Sequence, residues 1–192
     1  MYKRQALVHI AEQAGYDFSF LKGAIATNDE QFERVVAKVK AAVAPSLSTS
    51  DGADGDFAGA VIAIWGLTFK AGTDDLRNSP AVEVAQRLVA GGAEVRAFDP
   101  TIEVPEGGDG VVEGIEVPEG LPGSLRAFAD PYSACAGASC VVVLTEWDEF
   151  RWLDFVKVRD ALVSPILVDA RNLLDPAQVR RLGFSYVGIG RR

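Results

Sequence analysis

Residues 61–100 read VIAIWGLTFKAGTDDLRNSPAVEVAQRLVAGGAEVRAFDP, and this stretch decides the fold class. Val61, Ile62, Ala63, Ile64 and Trp65 form an unbroken apolar run, the pattern of a strand buried on both faces of a parallel sheet. Gly66 ends it. The loop that follows concentrates Thr68, Lys70, Thr73, Asp74, Asp75, Arg77 and Asn78, and Ser79-Pro80 opens a helix with a capping hydroxyl and a proline at the first helical position. Ala81, Val84, Ala85 and Leu88 give that helix one apolar stripe, and Gly91-Gly92 stops it where a left-handed residue costs least. Glu94 to Asp99 returns as a second strand, completing a βαβ unit. Ligands of open α/β sheets bind beyond the carboxyl ends of the strands, so Lys70 and Arg77 are the first candidates to receive an anion. The plainer alternative is that both are ordinary charges of a solvated loop.

Outward from this unit the same pattern recurs. Cys140 to Leu144 is another short apolar run, ending in Thr145-Glu146-Trp147, and Ile166 to Val168 is a third, ending in Asp169-Ala170-Arg171-Asn172. Phe184 to Val187 reads as a last strand, with helices expected over 131–136, through Phe155 and Val158, and over 176–182. Strands near 61, 94, 140, 166 and 186 with helices between them predict an α/β fold with a doubly wound, Rossmann-like parallel sheet. Right-handed crossovers bring the strand ends to one edge, where Lys70, Arg77 and Arg171 could converge on a phosphate or diphosphate. Between the second strand and the helix at 131, EVPEG occurs twice, which suits a hairpin or excursion and carries no assigned function.

Upstream, Ala6, Leu7, Ile10, Ala11 and Ala14 share a helical face closed by Gly15. A short helix is expected through Leu21 to Ala26, and Asn28 with Gln31 has the form of a capping box opening a longer helix striped by Phe32, Val35, Val36 and Val39. These helices hold too little apolar surface to stand alone. Residues 45–58 are rich in Ser, Gly and Asp, so the chain divides into a helical appendage at 1–44, a linker at 45–58 and an α/β domain at 59–192.

Composition narrows the function. A hydrophobic fraction of 48% and a charged fraction of 24% are those of an ordinary globular protein. A formal net charge of −8 argues against nucleic acid, while leaving room for a nucleotide ligand that needs only a local positive site. No apolar run suits a membrane span and MYKRQAL lacks a signal-peptide core, so a cytoplasmic protein is expected. Cys135 and Cys140 are too few and too far from His9 for a metal site, and Cys140 reads as a buried hydrophobe. His9 has no partner in sequence for general-base chemistry. No GxGxxG follows a predicted strand. Asp99 could meet a ribose hydroxyl or simply start a turn. Asp74-Asp75 suggests a metal but has no third ligand.

GLTFKAGTDDLRNSP, FDP, VVVLTEWDEF and ILVDARNLLDP followed by GFSYVGIGR closely resemble, in order and spacing, the C-terminal domain of the UDP-glucose/GDP-mannose dehydrogenase family. AEQAGYDFSFLKGAIATNDEQ resembles the end of that family's central helical domain, which links its two nucleotide-binding domains and forms the dimer core. The resemblance implies oxidation of a nucleotide sugar's C6 alcohol to a carboxylate with two NAD molecules, through a cysteine thioester, as in UDP-glucose to UDP-glucuronate. Carried over by motif, Phe69 and Lys70 would contact the UDP-sugar, Arg171 would reach it from another strand, and Arg77 would approach the NAD phosphates. The family's nucleophile belongs to a Cys-x-Pro-Lys-Asp motif just before the first helix, where this chain has Met1-Tyr2-Lys3-Arg4. The expectation is therefore a C-terminal fragment with no catalytic residue and no metal, inactive in oxidation by itself, from an enzyme that is a homodimer when intact. The alternative is a stand-alone nucleotide-binding or interaction module that docks a partner on an exposed stripe of Phe32, Val35, Val36 and Val39.

Overall fold

The apolar runs become the centre of a parallel sheet in the computed structural model, which describes residues 2–46, 55–104, 109–110 and 123–190. β1 (Val61–Trp65), β5 (Cys140–Val143) and β6 (Ile166–Asp169) are buried almost throughout, because helices cover both faces. β2 (Glu94–Phe98) and β7 (Ser185–Gly188) flank them and alternate buried with half-buried or exposed positions. All five strands expected from sequence are present. A sixth parallel strand, β4 (Ser124–Phe128), was not expected, and the two-residue β3 (Asp109–Gly110) pairs with it antiparallel. SLRAF has no β-branched residue and buries only Ala127, so it carries little strand signal. The order is β3-β4-β2-β1-β5-β6-β7, with strands added outward on both sides of β1. Of the repeated EVPEG, residues 105–108 and 111–122 lie outside the described part.

α3 (Pro80–Ala90) begins as its sequence dictates. Ser79 Oγ accepts from the Ala81 N–H at 3.1 Å, Pro80 occupies the first turn, and Ala81, Val84, Ala85 and Leu88 are buried. On the opposite face lie α4 (Pro131–Cys135), α5 (Phe155–Ala161) and α6 (Pro176–Arg181), each capped by an aspartate that accepts two backbone N–H groups. Two cores result. One joins β1, β2 and β5 to α3, and the other joins Trp65, Phe150, Phe155 and Leu167 on the far side.

The N-terminal helices differ from expectation. α1 (Tyr2–Gln13) ends just before Gly15, but the expected second and third helices are one continuous element, α2 (Ser19–Val43). Thr27 and Asn28 cost a helix interior only tenths of a kcal/mol each, which unbroken hydrogen bonding and packing outweigh. Asn28 is thus no cap. Nor is the apolar stripe exposed: Phe32 and Val39 are buried, and Val35 and Val36 pack on the α3-side core. The chain's own sheet covers the face proposed for a docking partner. Arg87 of α3 sits 5.1 Å from the Phe32 ring centre and binds Glu33 at 2.8 Å and Glu83 at 2.9 Å, tying α2 to α3. Of the expected linker, residues 47–54 lie outside the described part, while Phe57 is buried and donates its N–H to Gly91 O at 2.7 Å.

Gly66 shows how tightly β1 leaves the sheet. Its φ is 88°, and a Cβ there would stand 2.4 Å from Thr145 Cβ. Gly66→Ala should therefore lower the unfolding free energy by roughly 2–4 kcal/mol in urea titration, combining positive-φ strain with a backbone clash.

Candidate functional site

Strand register assembles the site. Trp65 lies opposite Phe98 on one side and Val143 on the other, and Val143 lies opposite Asp169. The next residues of four strands, Gly66, Asp99, Leu144 and Ala170, therefore emerge together at one edge. Asp99 is 2% exposed, and its Oδ2 accepts from the N–H of Leu67 (2.7 Å), the N–H of Thr68 (2.9 Å) and the Thr68 hydroxyl (3.0 Å). Trp147 Nε1 donates to the Thr68 hydroxyl at 3.1 Å, and Thr145 donates its hydroxyl to Thr68 O at 2.8 Å. Asp99 Oδ1 takes the N–H and hydroxyl of Thr101. Of the two sequence readings of Asp99, the turn is the one realised: its oxygens hold the loop.

Asp169 does the same at the end of β6. Fully buried, it accepts from the N–H of Arg171 (3.0 Å), the N–H of Leu174 (2.9 Å) and the Tyr186 hydroxyl (3.0 Å). The turn it holds places Asn172 at φ 52° and aims Arg171 back along the sheet edge, where its Nε donates to Leu144 O at 2.7 Å and pairs with Glu146 at 3.3 Å.

Above these strand ends, α2 closes two adjoining cavities. One, of about 190 Å³, takes in Phe69, Asn78 and Glu83 from the loop and α3. The other, of about 270 Å³, takes in Leu144, Arg171 and Ile189. Asn28, Phe32 and Pro80 border both. Phe69 and Arg171 are thus brought to neighbouring halves of one cleft. Lys70 and Arg77 line neither cavity. Lys70 is exposed, with its carbonyl held by the Thr73 hydroxyl at 2.8 Å. Arg77, 86% exposed, turns Nε and Nη2 onto Asp75 at 2.9 and 3.0 Å. Asp75 is therefore an ion-pair partner, and among the described residues no three carboxylate, imidazole or thiol groups assemble as a metal site. Sequence reasoning missed Asn28, Phe32 and Pro80 as cleft residues. The Asn28-x-x-Gln31 spacing was the available signal, since it puts two amides on one helix face.

A model of the UDP-glucose/GDP-mannose dehydrogenase family, UDP binding domain, matches residues 63–176. The chain belongs to this family. That match spans β1 to the start of α6 and so contains Phe69, Lys70, Arg77 and Arg171. UDP-glucose 6-dehydrogenases of Pseudomonas aeruginosa and Rhizobium meliloti are each 38% identical to it across 97% of the chain, and that of Bacillus subtilis is 32% identical. The chain spans 36–38% of the length of these relatives. A UDP-D-ManNAc dehydrogenase from Pyrococcus horikoshii (TM-score 0.71, 24% identity) covers 94% of the chain and 36% of its own. A UDP-glucose dehydrogenase from Pyrobaculum islandicum gives 0.67 and 23% over 96% of the chain and 35% of its own. Both share the fold. No helix among the described residues is long and apolar enough to cross a membrane.

Two measurements check the site's construction. Asp99→Ala leaves the Leu67 and Thr68 donors buried without an acceptor and should cost about 3 kcal/mol or more in chemical denaturation. The hydrogen bonds and charge of Arg77 hold the Asp75 carboxyl down at about 2, against an ordinary 3.8. Its folded value being lowered, the pair contributes stability above pH 3.8 that disappears as the pH falls toward 2, a small effect for so exposed a pair. Carboxyl-detected NMR should place the Asp75 midpoint near 2 and, in Arg77→Ala, move it upward but short of 3.8, because the backbone N–H of residue 77 still donates to the carboxylate.

Proposed function

We propose that this domain holds the UDP part of a nucleotide sugar in the cleft between α2 and the carboxyl edge of β1, β5 and β6. It does so as part of an enzyme that oxidises UDP-glucose to UDP-glucuronate with NAD and acts as a homodimer. The observation that carries this reading is the meeting of Phe69 and Arg171 in adjoining halves of one cleft within the matched UDP-binding region. Arg171 is the charged group of its cavity and suits a diphosphate, since a guanidinium fork can bind two phosphate oxygens at once. Phe69, 44% exposed, offers a ring beside it. Lys70, free of ion pairs among the described residues, extends the positive field outward from the same loop.

NAD supplies hydride acceptance in such enzymes. Among this chain's residues Arg77 fits a place on its phosphates, because the guanidinium is exposed and only one of its edges is occupied by Asp75. The chain's own cysteines do not suit the nucleophile. Cys135 and Cys140 are buried, and that burial pushes both thiols up to about 12, so neither offers a thiolate at neutral pH.

The test is thermal unfolding with UDP. At 100 times its dissociation constant UDP should add about 2.7 kcal/mol, a rise of roughly 5–10 °C, and Lys70→Ala and Arg171→Ala should each shrink it. The same preparation mixed with UDP-glucose and NAD should form no NADH. An unmoved melting curve at saturating UDP, or NADH formation by this chain, would count against the reading.

A further inference from the structure

Asn28 and Gln31 have the spacing of a capping box yet cap nothing, lying ten and thirteen residues into one continuous helix that starts at Ser19. Asparagine is a poor residue for a helix interior, and neither amide hydrogen-bonds to another described residue. Both instead border the cleft: Gln31 faces the Arg171 cavity alone, and Asn28 stands where the two cavities join.

The two cavities differ in charge. Arg171, which also meets Glu146 at 3.3 Å, is the charged side chain lining one, whereas Asp29 and Glu83 border the other, with Glu83 already bound to Arg87 at 2.9 Å. With a cation lining the first and two carboxylates bordering the second, a diphosphate is better accommodated in the first. The second, bordered by Ile25, Phe32, Pro80 and the half-exposed ring of Phe69, suits a flat neutral heterocycle. A carboxamide at the junction presents an acceptor and a donor side by side, which complements the imide edge of uracil, where N3–H lies beside a carbonyl oxygen.

We propose that Asn28 is a specificity-determining residue of the UDP site, its carboxamide hydrogen-bonded to the N3–H and adjacent carbonyl of the uracil ring, while Gln31 donates to the diphosphate beside Arg171. This rests on the UDP-binding reading above and assigns to α2, which lies outside the family-matched residues 63–176, a direct part in recognising the ligand.

The experiment is calorimetric titration of the chain with UDP and with UDP methylated at uracil N3, on the wild type, Asn28→Ala and Gln31→Ala. Methylation removes the donor, so the wild type should bind the analogue at least about tenfold more weakly than UDP. Asn28→Ala should bind UDP about tenfold more weakly than the wild type and no longer distinguish the two. Gln31→Ala should weaken both ligands by the same factor. Alanine is the better helix former, so the unliganded melting temperature of Asn28→Ala should not fall, which separates lost recognition from lost structure. Unchanged UDP affinity in Asn28→Ala, or retained discrimination against the methylated ligand, overturns the proposal and leaves UDP binding standing. Failure of the wild type to bind UDP overturns both.

Discussion

A single buried carboxylate holds the carboxyl edge of the sheet together. Asp99 leaves β2 where β1 must turn out of the sheet, and its Oδ2 gathers two backbone N–H groups and a hydroxyl from Leu67 and Thr68. A charge buried to 2% exposure is costly unless several donors replace its water, and here they come from a segment that would otherwise have unpaired amides of its own. The loop carrying Phe69 and Lys70 is therefore anchored at its root, and further out it is closed on itself by the Phe69 N–H donating to Asp75 O and the Thr73 hydroxyl donating to Lys70 O. Asp169, three positions across the sheet, holds the turn that follows it, so each half of the cleft stands on a strand-end aspartate: Asp99 gripping the loop after the neighbouring β1, Asp169 its own turn.

The third wall comes from a part of the chain that looks like an appendage. Phe32, stacked beneath Arg87 and shut into the core, seats α2 across the strand ends and presents Asn28 and Gln31 to the same space as Arg171. Burying an aromatic ring of this kind contributes on the order of 2–3 kcal/mol, enough to fix a helix whose other contacts are partial. In the proposed reading, a protein of net charge −8 receives an anionic ligand by local means: one guanidinium near a strand end, itself steadied by Glu146 at 3.3 Å, with neutral amides above it and Asp29 and Glu83 bordering the neighbouring cavity.

Much of this was legible because local chemistry left few choices. VIAIW, CVVVL and ILV are too short and too evenly apolar for surface helices, and Ser79-Pro80 marks a helix start that the structure reproduces, as it does a helix from Pro176. Arg171 was visible as a cation directly after a buried strand. What local pattern could not carry was β4, whose SLRAF gains strand form only by pairing with β2, and the continuity of α2, where a cap-like N-x-x-Q is overruled by packing. The placement of Arg77 was also beyond it. Adjacent acids in a loop can bond backbone, cation or metal, and only the fold of the loop selects Asp75 as its partner.

By itself, the sequence determined the parallel α/β class, the family motifs and the residues with suitable chemistry at strand ends, because apolar periodicity, helix caps and residue type act over a few neighbouring positions. Tertiary structure alone decided which of those residues share a cleft. Strand register set Gly66, Asp99, Leu144 and Ala170 side by side, and the docking of α2 turned an open edge into two cavities, one around Phe69 and one around Arg171. More than a hundred residues of chain separate Gly66 from Ala170, and more than a hundred and sixty separate Asn28 from Ile189 of one cavity, and only backbone hydrogen bonding across the sheet and the burial of α2 against it bring them together.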